Sequence, residues 1–367
     1  MQAAPPIRQA ADITLAWLTQ ALGEAGLLSG GRKLLGFETE GLSTGDRGFL
    51  SGVVRIQLNF DPVPQDANPP RSVIVKMPPE SDERLTLGIG FNAYMREARF
   101  YEEIAGDLQV RVPKCYHISK DEARGTSVLV MEDATDWRPA DQVYGLSLDQ
   151  VEATLDTIAD LHARWWRSPK LEDLDWIATE PWDHGGLFEE RWRGFLEAYR
   201  HWLSPEGLHI GETLAASGPA MLRALKRPPR TLVHCDVRAD NLLVDGPRDG
   251  DRVMVLDWQL LSRTMAALDP ARLVCGSLET ALPESGYRAM AMRWHGRLQA
   301  LGVSDYSAEE AWRDFRIGIL SALYIPVCFH SVLSHEGGRA IRLLEAQAHR
   351  MFRAAAECRS LEALDGS

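Results

Sequence analysis

The segment that most constrains this 367-residue chain lies in its second half, where two patterns of fixed spacing follow one another. The first is His234-x-Asp236-x-x-x-x-Asn241, and the second is a short apolar run that ends at Asp257. The turn-forming residues at 245–250 predict that the chain reverses between the two patterns and pairs the flanking strands. We therefore expect the side chains of Asp236, Asn241 and Asp257 to lie close together.

These residue types, in this order, suit phosphoryl transfer as kinases perform it. The carboxylate of Asp236 can accept or orient the proton of an attacking hydroxyl. The amide of Asn241 and the carboxylate of Asp257 offer the oxygen ligands that Mg²⁺ prefers. His234 ends an apolar run and is expected to orient the loop rather than perform chemistry. The pattern predicts a catalytic set of these four residues, with Asn241 and Asp257 on the metal.

A kinase also requires a strand lysine and a helix glutamate that pairs with it. Lys76 lies in the β-branched run 71–77, and period-two alternation places it on the face of Ile74. A helix at about 87–105 carries Glu97 on the flank of its apolar face. Each residue alone would be interpreted as an exposed charge. Together they predict an ion pair that holds the α- and β-phosphates of a nucleotide.

Two further segments predict nucleotide contacts. A glycine-rich turn containing Gly45 and Gly48 could lie over the phosphates through its backbone N–H groups, although an ordinary β-turn explains it equally well. The other segment follows an apolar strand and is predicted to be a hinge whose backbone groups hydrogen-bond the adenine edge. It comprises Met131, Glu132 and Asp133.

The chain resembles the aminoglycoside phosphotransferase and choline kinase superfamily of small-molecule kinases, nearest its ecdysteroid-kinase-like members. The matching stretches are 72–79, 97–101, 130–133, 161–163, 232–236, 240–243 and 256–259. Asp269 also resembles the aspartate of that family's Asp-Leu-Ala motif. The resemblance covers about 35–275 and implies an O-phosphotransferase that uses ATP and Mg²⁺. In it Asp236 is the base, and Lys76 and Glu97 bind phosphate.

The resemblance and the element order imply an α+β, two-lobed protein-kinase-like fold. Its small β-rich N-terminal lobe is expected to contain one helix, and its larger C-terminal lobe to be mainly helical. We place the nucleotide-binding lobe at 1–132 and the catalytic and substrate-binding lobe at 133–367. Two residues depart from the family pattern: Cys235 replaces a usual glycine, and Trp258 replaces a usual phenylalanine. The DFG, APE and activation-loop features of protein kinases are not found, so a protein substrate is not expected.

Composition narrows the class of partner. The net charge of −12 disfavours nucleic acid, and no apolar run approaches the 18 residues that a membrane span needs. The five cysteines are scattered without CxxC spacing, which indicates neither a disulfide framework nor a zinc site and favours a reducing cytoplasm. We expect a monomer or a homodimer with a hydroxylated small-molecule substrate.

The substrate itself is left open. Six of the eleven tryptophans fall within 165–202 and either pack the core or form an aromatic wall for a hydrophobic alcohol such as a steroid. His162 faces the core of a predicted helix and is interpreted as a hydrogen-bonded structural histidine. An amino sugar is the other acceptor considered, and a hydroxyacyl thioester is a further alternative. A non-catalytic nucleotide-binding module remains the alternative from a different class.

Overall fold

The computed structural model describes residues 7–41, 50–61, 69–179, 187–250, 252–334 and 338–364, and within these ranges not the side chains of 332–334. The chain divides into two compact units. Unit 1 comprises Met1–Leu108, Val112–Asp136 and Asp257–Gln259. Unit 2 comprises Gln109–Arg111, Trp137–Leu256 and Leu260–Ser367. The change of unit at Asp136 lies four residues beyond the predicted boundary, and the short segment that contains Asp257 belongs to unit 1.

Unit 1 is built on an antiparallel five-stranded sheet with the order β1-β2-β3-β5-β4. Its strands are β1 (Leu34–Gly41), β2 (Gly52–Phe60), β3 (Ser72–Met77), β4 (Cys115–Asp121) and β5 (Thr126–Glu132). Its α-helices are α1 (Leu15–Glu24), α2 (Asp82–Gly90) and α3 (Ala93–Glu103). The prediction of a single helix in this lobe is therefore wrong, because the described part of unit 1 contains three α-helices.

The two faces of the sheet carry different helices. Val73 and Val75 of β3 belong to the buried cluster that includes Leu18 and Leu22 of α1. Ile74, between those two valines, packs into a second cluster with Ala98 of α3. This alternation along β3 confirms the predicted period of two and assigns the even-numbered positions to the face that α3 covers.

The helix predicted at 87–105 is in fact two helices. Asn92, between α2 and α3, has a left-handed backbone with φ of 53°, a conformation that ends a helical run. Asparagine adopts it more readily than most residues because its short polar side chain bonds locally. The apolar spacing of the segment gave no sign of this break, since it continues across the junction.

Unit 2 contains two small sheets and most of the helices. Strands β7 (Arg230–Val233) and β10 (Ser262–Met265) form one pair, while β6 (Arg138–Pro139), β8 (Leu242–Val244) and β9 (Val253–Val255) form the other sheet. The helices are α4 (Leu148–Arg164), α5 (Lys170–Asp173), α6 (Leu187–Tyr199), α7 (Pro205–Ala216), α8 (Gly218–Leu225), α9 (Leu268–Ser277), α10 (Glu284–Ala300), α11 (Ala308–Ala322), α12 (Tyr324–Ser334) and α13 (Gly338–Glu357). Every residue of α9 is buried, so this helix is the centre of the unit.

A helix boundary lies just before Pro326. Helix α11 ends at Ala322 and α12 begins at Tyr324, which puts the proline in the first turn of the new helix. Proline is tolerated there because first-turn N–H groups have no intrahelical partner. No helix in the described ranges is both long enough and apolar enough to cross a membrane.

Candidate active site

The first group of predicted residues meets within unit 1. Lys76 lies on the α3 side of the sheet, and its Nζ is 2.8 Å from Oε1 of Glu97. The same Nζ is 2.7 Å from Oδ1 of Asp257. The predicted strand lysine and helix glutamate thus form an ion pair, and the aspartate that follows β9 joins it. Two carboxylates share one ammonium group.

Burial determines the electrostatics of this cluster. The Glu97 side chain is only 3% exposed, and burial raises its pKa although Lys76 opposes the shift. Burial would lower the pKa of Lys76, but the carboxylates of Asp257 and Glu97 together raise it above the ordinary lysine value. Lys76 is therefore a fixed cation at neutral pH, held where it could meet an anionic ligand.

The segment 257–259 is anchored to α3 by several contacts. The N–H of Trp258 donates to Oε1 of Glu97 at 3.3 Å, and its buried ring stacks on Phe100 with centroids 4.1 Å apart. Arg96 donates to the carbonyl of Gln259 at 3.3 Å. Asp257 itself has φ of 65°, a left-handed conformation that aspartate tolerates better than most residues. The Trp258 ring fills this packing position.

The predicted hinge residues have structural side-chain roles. Oε2 of Glu132 accepts from the N–H of Lys114 at 2.9 Å. The Asp133 carboxylate accepts from Nε of Arg55 at 2.7 Å and from Oγ of Ser72 at 2.6 Å, which ties it to β2 and β3. Met131 is buried against α3. Adenine recognition by backbone groups here stays a prediction. Gly45 and Gly48 lie outside the described residues.

The second group of predicted residues occupies one loop of unit 2, and a buried aspartate holds that loop. Asp269, on α9, accepts from the N–H groups of His234 at 2.9 Å and Cys235 at 2.8 Å. It also accepts from Nε2 of His162 at 3.1 Å, while Trp294 donates to the other ring nitrogen of that histidine. His162 is thus buried and hydrogen-bonded, as predicted. Asp269 fixes the loop backbone just before Asp236.

His234 orients the loop. Its Nδ1 accepts from the N–H of Asp236 at 3.2 Å, so its Nε2 carries the proton and donates to the carbonyl of Leu256 at 2.8 Å. The N–H of Leu256 in turn donates to the carbonyl of Asn241 at 2.9 Å. Both ring nitrogens are engaged with the backbone.

The carboxylate of Asp236 is held from several directions. Its Oδ2 accepts from Nε of Arg238 at 3.1 Å and from Nδ2 of Asn241 at 2.9 Å. Its Oδ1 accepts from Nη2 of Arg272 at 3.1 Å. Asn241 also donates to the backbone carbonyl of Asp236 at 2.9 Å, which leaves its amide oxygen as the acceptor atom for another group.

The charged network extends from the loop to α13. Arg238 also donates to Asp240 at 3.0 Å, and Arg339 bridges Asp240 at 2.8 Å and Asp141 at 3.0 Å. Burial would raise the pKa of Asp240. Arg238, the N–H of Gln142 and Arg339 outweigh that effect and hold its pKa below the ordinary value.

The residue before Asp236 adopts a conformation that favours glycine. Cys235 has φ of 70°, and its side chain is buried. A left-handed backbone costs a residue with a Cβ roughly 1–2 kcal/mol. The position therefore requires glycine-like geometry although a thiol occupies it, and the two hydrogen bonds that Asp269 accepts from this stretch hold it in place.

Five residues of this network were not selected from the sequence: Arg238, Asp240, Arg272, Asp141 and Arg339. The first two lie inside the motif itself, between Asp236 and Asn241, where spacing alone gave no reason to choose them. Arg272 follows Asp269 by three residues, a spacing that puts both on one helix face. This spacing is the feature of the sequence from which Arg272 could have been selected.

Of the five described tryptophans in the tryptophan-rich segment 165–202, one packs in the core and the other four are half-buried. Trp192 is 6% exposed and stacks between Phe188 and Phe195. The ring fits so closely that a Cβ on Gly211 would lie 2.0 Å from it. Trp202 is half-buried and stacks on Tyr199 at 4.2 Å. Trp182 lies outside the described residues.

These two groups supply distinct chemical capabilities. Unit 1 presents a half-buried lysine flanked by carboxylates, a suitable partner for an anionic ligand. Unit 2 presents a carboxylate of fixed orientation on a loop whose backbone is hydrogen-bonded from both sides. Positioned charge of this kind is what phosphoryl transfer requires of a protein, since it asks for little covalent chemistry.

Comparison with solved structures shows the fold. One match is a Ralstonia eutropha JMP134 protein described provisionally as an aminoglycoside phosphotransferase (17% identity, 92% of this chain and 98% of that one, TM-score 0.51). Another is wild-type aminoglycoside 2'-phosphotransferase-IIIa in its GDP complex (13% identity, 91% and 98%, TM-score 0.51). A third is choline kinase from Cryptosporidium parvum Iowa II (10% identity, 90% of each chain, TM-score 0.54). The kinase-like α+β fold predicted from the sequence is confirmed.

A search of curated proteins finds no significant match. A sequence profile, by contrast, matches residues 67–312, about two thirds of the chain, and its description is the phosphotransferase enzyme family, APH. The matched range includes Lys76, Glu97, Asp236, Asn241 and Asp257. The superfamily predicted from the sequence is thereby confirmed, and its ecdysteroid-kinase-like branch stays a prediction. This chain belongs to the phosphotransferase enzyme family.

Proposed function

We propose that this protein is a small-molecule kinase that transfers the γ-phosphate of ATP to a hydroxyl group of its substrate. The observation that carries the proposal is the cluster in which Lys76 lies 2.8 Å from the buried Glu97 and 2.7 Å from Asp257. Removing a lysine and two carboxylates from water costs desolvation free energy, so such clusters often mark functional sites. Binding of a nucleotide phosphate by Lys76 would explain why this one is present. Family membership supports the reaction class.

In this proposal each residue group has a defined task. Lys76, oriented by Glu97, binds the α- and β-phosphates, and the turn with Gly45 and Gly48 covers them. Asp236 accepts or orients the proton of the acceptor hydroxyl, while His234 fixes the loop. The adenine edge is bound by backbone groups of the hinge, namely Met131, Glu132 and Asp133.

We assign Mg²⁺ to Asn241 and Asp257, whose side chains offer the oxygen ligands that this ion prefers. Asn241 uses its amide nitrogen twice as a donor and so offers its oxygen, and the Asp257 side chain is 33% exposed. Among the described residues there is no cluster of three or more His, Cys, Asp or Glu side chains that could hold a metal alone. Mg²⁺ binds proteins through one or two carboxylates and completes its shell with water and phosphate oxygens, so it does not need such a cluster. The ion would neutralise charge on the transferred phosphate.

The acceptor is a hydroxylated small molecule. The solved relatives carry the names of aminoglycoside and choline kinases, so an amino sugar and an amino alcohol belong in any test beside hydrophobic alcohols and steroids. A hydroxyacyl thioester remains the alternative acceptor. The scattered cysteines support action in a reducing cytoplasm. We propose that the protein acts there as a monomer or a homodimer.

The test is nucleotide-dependent phosphate transfer across a mixed acceptor panel, with ATP and GTP compared in the presence of Mg²⁺. The panel contains aminoglycosides, sterols, macrolides, choline and hydroxyacyl thioesters, and product is detected as a new phosphomonoester. Transfer to one class, lost in Asp236→Asn, supports the proposal. Nucleotide binding without transfer to any hydroxyl would instead favour a non-catalytic nucleotide-binding module.

A further inference from the structure

Helix α9 supports the loop that carries Asp236 at successive turns. Asp269 accepts from two loop N–H groups at the start of the helix. At its end, Oγ of Ser277 accepts from the N–H of Ala239 at 3.2 Å. Arg272 lies between these contacts and reaches the Asp236 side chain instead of the backbone. One buried helix thus contacts the beginning, the middle and the end of the loop.

Arg272 completes the orientation of the Asp236 carboxylate. Arg238 and Asn241 both bind Oδ2, at 3.1 and 2.9 Å. Arg272 binds the other oxygen, Oδ1, at 3.1 Å. A carboxylate rotates about a broad, roughly two-fold torsion, so contacts at one oxygen leave its plane loosely defined. Contacts at both oxygens, from different elements, define it.

The contacts of Arg272 do not account for its burial as a contribution to the stability of the fold. Its side chain is 5% exposed, and burial lowers its pKa against the opposing effect of Asp236. Its Nε has no hydrogen-bond partner among the described residues, and Nη1 has only Sδ of Met351 at 3.7 Å. A buried charge with so few partners is costly, and apolar side chains of similar volume commonly replace buried ion pairs without loss. An apolar residue would suit this helix better.

We propose that Arg272 is a positioning residue for phosphate transfer, which holds Oδ1 of Asp236 so that the carboxylate faces the acceptor hydroxyl in one orientation. The inference rests on the proposed function. Arg272 makes no contact with substrate in this proposal, because it acts through Asp236. Small errors in the placement of a reacting group are expensive, because an error of about 1 Å can cost on the order of 100-fold in rate.

Steady-state kinetics of Arg272→Met test this role. We expect kcat to fall about 100-fold while the KM for nucleotide stays within about threefold, because nucleotide contacts are unchanged. The melting temperature should stay within a few degrees, since Asp236 keeps two other partners. Arg272→Lys, which retains the charge, should recover part of the loss. Arg350→Met is the matched control: Arg350 donates to the carbonyls of 142–144, so its loss should lower stability without a selective fall in kcat.

A double-mutant cycle with Asp236→Asn shows whether the effect passes through Asp236. In that background, Arg272→Met should change the residual rate by no more than about threefold. An unchanged kcat in the single variant, or the same 100-fold loss in both backgrounds, would overturn the inference.

A crystal structure of Arg272→Met gives a readout that needs no activity. Rotated or multiple conformers of the Asp236 carboxylate are expected, and a single conformer identical to that of the unaltered protein would contradict the inference. If the unaltered protein transfers phosphate to no acceptor, the proposed function fails, while this structural comparison still decides the positioning claim.

Discussion

The two charged groups of this protein, one in each unit, are built differently. In unit 1 two carboxylates, Glu97 and Asp257, share the single ammonium of Lys76. The network in unit 2 balances three carboxylates against three guanidinium groups, formed by Asp141, Asp236, Asp240, Arg238, Arg272 and Arg339. The first group carries one surplus negative charge, which suits a site that also receives a cation. The second is neutral and rigid, which suits a site that must hold one side chain still.

Replacing Asp236 by asparagine should have the largest effect on activity. Asparagine retains the shape but loses the charge that attracts the hydroxyl proton, so kcat should fall about 1,000-fold. Nucleotide affinity, measured by calorimetry, should stay within about threefold because phosphate binding is assigned to the other group. A large loss of affinity with little loss of kcat would reverse the division of tasks between the two groups.

Replacing Lys76 by methionine should damage both binding and stability. The change leaves Glu97 buried without its cation, which typically costs about 3 kcal/mol of the free energy of unfolding. Nucleotide affinity should fall about 100-fold if the ammonium binds phosphate. Lys120→Met is the matched control, because Lys120 makes a comparable 2.9 Å pair with Glu102 that is partly exposed and should contribute less than about 1 kcal/mol. Equal effects of the two changes would contradict the account.

The Asp240→Asn variant should reveal how the neutral network depends on pH. Since the folded state holds the pKa of Asp240 below its ordinary value, its contribution to stability is present above about pH 4 and is lost as the pH falls through the folded pKa. Denaturant titrations should show the variant about 3 kcal/mol less stable at pH 7, with the difference shrinking towards pH 2. A difference independent of pH would show that Asp240 contributes by packing alone.

The smallest expected effect is an increase in the free energy of unfolding. Cys235→Gly removes the strain of a left-handed backbone, and part of that gain is offset by the greater freedom of glycine in the unfolded chain. The free energy of unfolding should rise by up to about 1 kcal/mol, with activity retained. Cys235→Ala keeps the Cβ and serves as control. If the alanine variant is the more stable of the two, the greater freedom of glycine in the unfolded chain outweighs backbone strain at this position.

The sequence was informative where function demands fixed residue types at fixed spacing. The alternation of β3 predicted the face of Lys76, and helical spacing put Glu97 within reach of it, because both follow from local backbone periodicity. The break at Asn92 was missed, since one left-handed residue leaves no mark on an apolar pattern. Arg272 was missed for a different reason: its partner, Asp236, is 36 residues away, and only the tertiary fold brings them together.

The most direct test of the central claim needs no knowledge of the acceptor. It is the calorimetric affinity for ATP and for GTP with and without Mg²⁺, compared between the unaltered protein and Lys76→Met. The account predicts binding that depends on Mg²⁺ and weakens about 100-fold in the variant. Absence of binding to either nucleotide with Mg²⁺, or equal binding by both proteins, would contradict it.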